Sequence, residues 1–287
     1  MFSHHINNTL VEHRPHSRHL RSGIWLRADD GHLRRDRDRL PRALLRRLAG
    51  KYATLFALTL IPGLLAAALI AFGVKEKVRL PVPHISFGEG LRALPASFRR
   101  FLVAVGLFGA GDFAHTLLIL LAVQSLTPAL GSGQAAVIAA GLYVLHNVLY
   151  AGCSFLAGWF ADRLDKRRLL AGGYFMAALM AVAMIVLPLN VATLAVIFAL
   201  GGIYVAIEET LEDSLCAELV SDPHHGMAFG TLATVNGIGD FASSLIVGLL
   251  WTAFGTSVAF AFSAILFIGG GLMVLRVPGA APARAPD

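Results

Sequence analysis

The chain has 287 residues, of which 56% are hydrophobic and only 15% charged, and its mean hydropathy is +0.67. So little polar surface cannot cover a water-soluble domain, and the composition is that of an integral membrane protein with the lipid bilayer as its main partner. A formal net charge of +6 would suit nucleic acid, but the Lys and Arg residues sit in the first 51 positions and in a few connections. The charge is therefore read as membrane orientation, with no nucleic-acid partner.

Residues 1–51 hold 12 of the 24 Lys and Arg residues and six histidines (His4, His5, His13, His16, His19, His32). They contain no apolar run and no secretory cleavage pattern, so they are expected to be a basic disordered tail that holds no metal. Residues 52–74 form the first apolar run, a lone transmembrane helix that Pro62-Gly63 is expected to kink. Residues 75–100 contain Pro81, Pro83 and Pro95 and read as a cytoplasmic linker with a short amphipathic helix over 87–98. Six more spans follow at short intervals: Phe101 to Val123, Gln134 to Phe160, Leu169 to Leu187, Ala192 to Leu211, Met227 to Trp251 and Thr256 to Leu275. The expectation is an all-α polytopic membrane bundle with seven crossings, a six-helix body over 101–276 and a cytoplasmic tail over 277–287. Cys153 and Cys216 both lie in apolar runs and give neither a disulfide framework nor a metal spacing.

The turn after the third span fixes the orientation. Arg163, Lys166, Arg167 and Arg168 crowd a connection too short to be a domain, and such basic turns face the cytoplasm. The loops this places on the far side, near 124–133, 188–191 and 252–255, contain no Lys or Arg. The tail alone disagrees, because an odd number of spans puts its cations outside. A displaced start or frame slip in a longer gene, with five further spans encoded upstream, is expected to account for residues 1 to about 50.

Gly158-x-x-x-Asp162-Arg163-x-x-Lys166-Arg167-Arg168 at the end of one span is similar to the cytoplasmic-loop motif of the major facilitator superfamily of transporters. Thr59-Leu60-Ile61-Pro62-Gly63, and Glu208-Glu209 followed by Pro223-x-x-Gly226-Met227-Ala228-Phe229-Gly230, add to the resemblance, which covers about residues 53–275. It implies the carboxy-terminal portion of a carrier: the last helix of a first half, the linker, and a second six-helix half made of two inverted three-helix repeats. It further implies secondary transport of a small-molecule substrate by alternating access, with no enzyme activity and no cofactor. The location implied is the cell (inner or plasma) membrane, with an absent amino-terminal half as partner. Asp162 and Arg163 would help to latch the cytoplasmic side, and Gly158 is read as a close helix approach.

Ionisable side chains inside spans cost about 2.5–3.5 kcal/mol at mid-membrane on the insertion scale, so each is a functional suspect. Asp112 and His115, three residues apart, are expected on one helix face, where the carboxylate can hold or protonate the imidazole. Asp240 falls mid-span, and the adjacent Glu208 and Glu209 resist ionising together, which suits a proton-coupled carrier. Glu212 and Asp213 are expected at the cytoplasmic surface. His146-Asn147 is read as an interhelical hydrogen-bonding pair, and Gly106, Gly109, Gly152, Gly237 and Gly239 as close-packing positions. One rival uses the same acids. Gly109-Ala110-Gly111-Asp112 and Gly237-Ile238-Gly239-Asp240 resemble fragments of intramembrane aspartyl proteases, in which Asp112 and Asp240 would share a proton and activate water. A retinal-type receptor is excluded, because no span after the linker offers a Lys for a Schiff base.

Overall fold

The computed structural model describes residues 54, 57–73 and 94–278, and no strand occurs among them. The expected basic tail and most of the expected linker lie outside the described residues. The chain divides into two units, 1–82 and 83–287. In the first, α1 (Ala57–Gly73) is an apolar helix that runs on through Pro62-Gly63.

The second unit contains α2 (Ala96–Gly109), α3 (His115–Leu130), α4 (Ser132–Ala161), α5 (Lys166–Val186), α6 (Val191–Leu219), a short 3-10 turn (Asp222–His224), α7 (His225–Phe254) and α8 (Thr256–Val274). Helices α4 to α8 are long and apolar enough to cross a membrane. Two expectations need correction. The crossing expected over Phe101 to Val123 is divided into α2 and α3, and the loop expected near 124–133 is helical as far as Leu130, with Pro128 inside the helix. The connections α3–α4 and α7–α8 shrink to Gly131 and Gly255, at φ 79° and 92°, a left-handed backbone that glycine alone adopts cheaply. At the other ends, Asp165 caps α5 through the Arg167 amide (3.0 Å) and Asn190 caps α6 through the Thr193 amide (3.0 Å).

Packing follows side-chain size. Helix α4 lies against α6, α5 against α6 and α8, α2 against α7 and α8, and α3 against α4. Fully buried aromatic rings knit the centre, with Phe108 stacked on Tyr174 at 3.7 Å between centroids and 4.7 Å from Phe267. Helices α2 and α7 cross glycine on glycine: a Cβ at Gly239 would lie 3.0–3.2 Å from the backbone of Gly109. Gly152 and Gly237, read as close-packing positions, instead face open space, and a Cβ at Gly158 would meet Thr210 at an ordinary 3.8 Å. Helices α4 and α7 are the least buried of the membrane-length helices and leave Val144, Val148, Phe155, Phe241, Leu245 and Leu249 exposed.

Candidate functional site

The gap between α2 and α3 organises the site. Gly111 sits so close to α8 that a Cβ would lie 2.9 Å from the Leu266 Cβ and 3.1 Å from the Ser263 carbonyl oxygen. The Asp112 amide makes a last turn-like bond to Gly109 O (3.1 Å), and the backbone then stays non-helical until His115. Backbone groups freed inside a membrane protein need partners. Here two consecutive serines of α7 supply them. The Ser243 hydroxyl donates to the Asp112 carbonyl, and Ser244 Oγ accepts from the Ala114 amide at 3.1 Å.

Beside the gap lies a cavity of 510 Å³ whose lining includes Asp112, His115, Glu208, Glu209 and Asp240, the five ionisable residues singled out in the sequence. Asp112 comes from the gap, His115 from the start of α3, Glu208 and Glu209 from α6, and Asp240 from the middle of α7. Phe113, Tyr143, Asn236 and Ser244 share the wall. Because the helix is broken between them, Asp112 and His115 do not form the expected pair on one helical face. Asp112 Oδ1 accepts from the Tyr204 hydroxyl at 3.0 Å, while the His115 ring packs edge-on against His146, 4.7 Å between centroids.

Tyrosine hydroxyls hold two more carboxylates: Tyr150 donates to Glu209 and Tyr174 to Glu212. Glu212 departs from the sequence reading. Helix α6 continues to Leu219, so Glu212 is 2% exposed rather than at the surface, and its second oxygen accepts from Asn236 Nδ2 at 2.8 Å. Asn236 lines the cavity and so joins this buried carboxyl to it. Tyr150, Tyr174, Tyr204, Ser243 and Ser244 were not legible as site residues, since nothing local separates them from packing positions. The i, i+4 spacing of Glu208 and Glu212 was the one available signal for Glu212. His146 is buried against α6 and bonds the Phe198 backbone of that helix, whereas Asn147 bonds the Tyr143 carbonyl of its own helix (2.7 Å), so only the first of the expected pair bonds between helices. Nor does a hydrogen bond join Asp112 to Asp240, as a protease dyad would need; the Asp112 carboxylate takes Tyr204 instead.

The basic turn is a second, separate cluster. Arg163 lies over the Trp159 ring (3.9 Å to its centroid) and donates to the Trp159 carbonyl at 2.9 Å. Lys166 pairs with Glu218 near the end of α6 (2.9 Å). Arg167 clasps Asp165 (2.8 Å) and reaches the Val277 carbonyl beyond α8 (2.9 Å). The Arg167 guanidinium holds the Asp165 carboxyl below its ordinary range. Arg168 and Asp162 are exposed, and Asp162 has no side-chain partner among the described residues. The turn thus ties the start of α5 to the ends of α6 and α8.

A family model described as the Major Facilitator Superfamily matches residues 101–287. An uncharacterised MFS-type transporter of Methanocaldococcus jannaschii is 28% identical over 220 residues, which are 77% of this chain and 52% of that protein. The MFS-type transporter ppzB of Metarhizium rileyi is 31% identical over 121 residues, 41% of this chain and 25% of that protein. Its counterpart in Metarhizium majus is 29% identical over 121 residues, with shares of 41% and 26%. The chain therefore spans about half the length of the archaeal relative and about a quarter of the fungal ones. A match over most of the chain, on an all-helical bundle with five membrane-length helices, has one consequence: this multi-pass membrane chain belongs to the major facilitator superfamily.

Proposed function

We propose that the chain forms one wall of a proton-coupled secondary transporter, which moves a small solute by alternating access through the cavity between α3, α6 and α7. The observation that carries this reading is the gathering of Asp112, His115, Glu208, Glu209 and Asp240, from separate elements, around a single cavity of molecular size. Carboxyls enclosed among helices are suited to exchange protons, and neighbours of like charge favour stepwise rather than simultaneous ionisation. In this reading the basic turn, with Gly158, Asp162, Arg163, Lys166, Arg167 and Arg168, faces the cytoplasm of the inner or plasma membrane and latches that side. An amino-terminal half, or a second copy, supplies the facing wall. Rocking between the two walls then exposes the cavity to each side in turn.

The test is chemical access to Thr116, an exposed residue of the cavity wall. A Thr116→Cys chain, with Cys153 and Cys216 replaced by Ala, is treated in vesicles with a membrane-impermeant maleimide added to one face or the other. Labelling from both faces, shifted from one to the other by a pH gradient, is expected. A cysteine that reacts from neither face, or from one face only whatever the gradient, would refute alternating access at this cavity.

A further inference from the structure

Among the described residues the cavity wall is charged in one sense only. These lining residues include four carboxylates and one imidazole but no Lys or Arg. The way the acids are held preserves that charge. Asp112 and Glu209 take tyrosine hydroxyls, and Glu212 behind the wall takes a tyrosine and an amide. These are neutral donors, which satisfy oxygen lone pairs without cancelling a charge as a guanidinium or ammonium would. Glu208 has not even that. The residue is half-buried on the cavity wall, and its carboxyl group has no hydrogen-bond or ion partner among the described residues. A carboxyl that lines a cavity with no partner of its own is free to meet a cation from outside the chain.

The shape says what kind of partner. No group of three acidic or imidazole side chains among the described residues converges closely enough to hold a metal ion. The acids are instead spread round 510 Å³, the volume of a molecule rather than of an ion. Tyr143 adds an exposed aromatic ring, whose face attracts a diffuse positive charge, and Nε2 of His115 is buried without a partner. We propose that the cavity binds an organic cation, an amphiphile whose ammonium or similar centre meets Glu208 and Asp112 while its apolar part lies against Tyr143. The inference rests on the transport reading and names the substrate class of that same cavity.

The test compares two probes of nearly the same size and shape and opposite charge, tetraphenylphosphonium and tetraphenylborate, on the purified full chain in detergent, with empty micelles as the blank. Saturable binding of tetraphenylphosphonium alone is expected, weakened about tenfold by Glu208→Gln and by Asp112→Asn. Both substitutions keep side-chain volume, and an unchanged elution profile shows that the variants are folded. Equal or tighter binding of tetraphenylborate would overturn the proposal, as would manganese binding without tetraphenylphosphonium binding. These two comparisons use the unsubstituted chain and depend on no variant. Thr116→Cys labelling from both faces, without tetraphenylphosphonium binding, would remove the cation and leave transport standing. Tetraphenylphosphonium binding without labelling from both faces would do the reverse.

Discussion

The two serines that bridge the helix gap make the most direct test of how the site is held. Ser243 is wholly buried, and its hydroxyl is the donor that satisfies the Asp112 carbonyl. Ser243→Ala leaves that carbonyl without its partner where water has little access, a loss of about 1–3 kcal/mol. Ser244 is half-buried on the cavity wall, so water can take over the Ala114 amide when it becomes Ala, and the cost falls to about 0.5–1.5 kcal/mol. For a unit of this size about 1 kcal/mol moves the melting temperature by roughly 2–4 °C. Ser243→Ala should therefore lower it by roughly 2–12 °C and Ser244→Ala by less. Circular dichroism on heating in detergent reads both, and hydrogen exchange at the Ala114 amide should quicken in the Ser244 variant alone. Melting curves that match the unsubstituted chain, or a larger drop for Ser244→Ala, would refute the bridging argument.

Gly239→Ala should destabilise by about 1–3 kcal/mol, because the added Cβ meets the Gly109 backbone rather than a movable side chain. Gly158→Ala, with 3.8 Å to Thr210, should stay within about 0.5 kcal/mol of the original in the same melts. Glu212→Ala strands both the Tyr174 hydroxyl and the Asn236 amide and should cost about 3 kcal/mol. A double-mutant cycle with Tyr174→Phe should come out strongly non-additive, and additivity would show the two side chains to be uncoupled. Asp165→Ala should cost about 1 kcal/mol at neutral pH through the lost cap. Since the folded carboxyl is held below its ordinary range, its contribution is complete above about pH 5 and fades as the pH falls through the folded value, so the gap between the two melting curves should narrow on acidification.

Spans were legible because a bilayer-length apolar run has few alternatives: the ends expected for α4, α5, α7 and α8 fall within a few residues of those found. The gap at 110–114 was not, since the close approach that leaves Gly111 no room for a Cβ is made by Leu266 and Ser263, more than 150 positions away in the chain. Hydropathy sees a single apolar run there. The same blindness misplaced Glu212: four acids over 208–213 look like a helix leaving the membrane, and only Tyr174 and Asn236, from two other helices, make its burial tolerable. The residues that line the cavity were found by a coarser principle, that acids within apolar runs are rare. Their hydrogen-bond partners, common residue types on unremarkable helical faces, became visible only with the packing.

Three of the five tyrosines in the chain, Tyr150, Tyr174 and Tyr204, end on a carboxylate. The phenol vibrations of the protein are thus dominated by groups that touch the acids of interest, so an infrared difference spectrum can follow protonation or ligand entry without any attached dye. Tyr150→Phe, Tyr174→Phe and Tyr204→Phe would each erase one line and assign it to Glu209, Glu212 or Asp112 in turn.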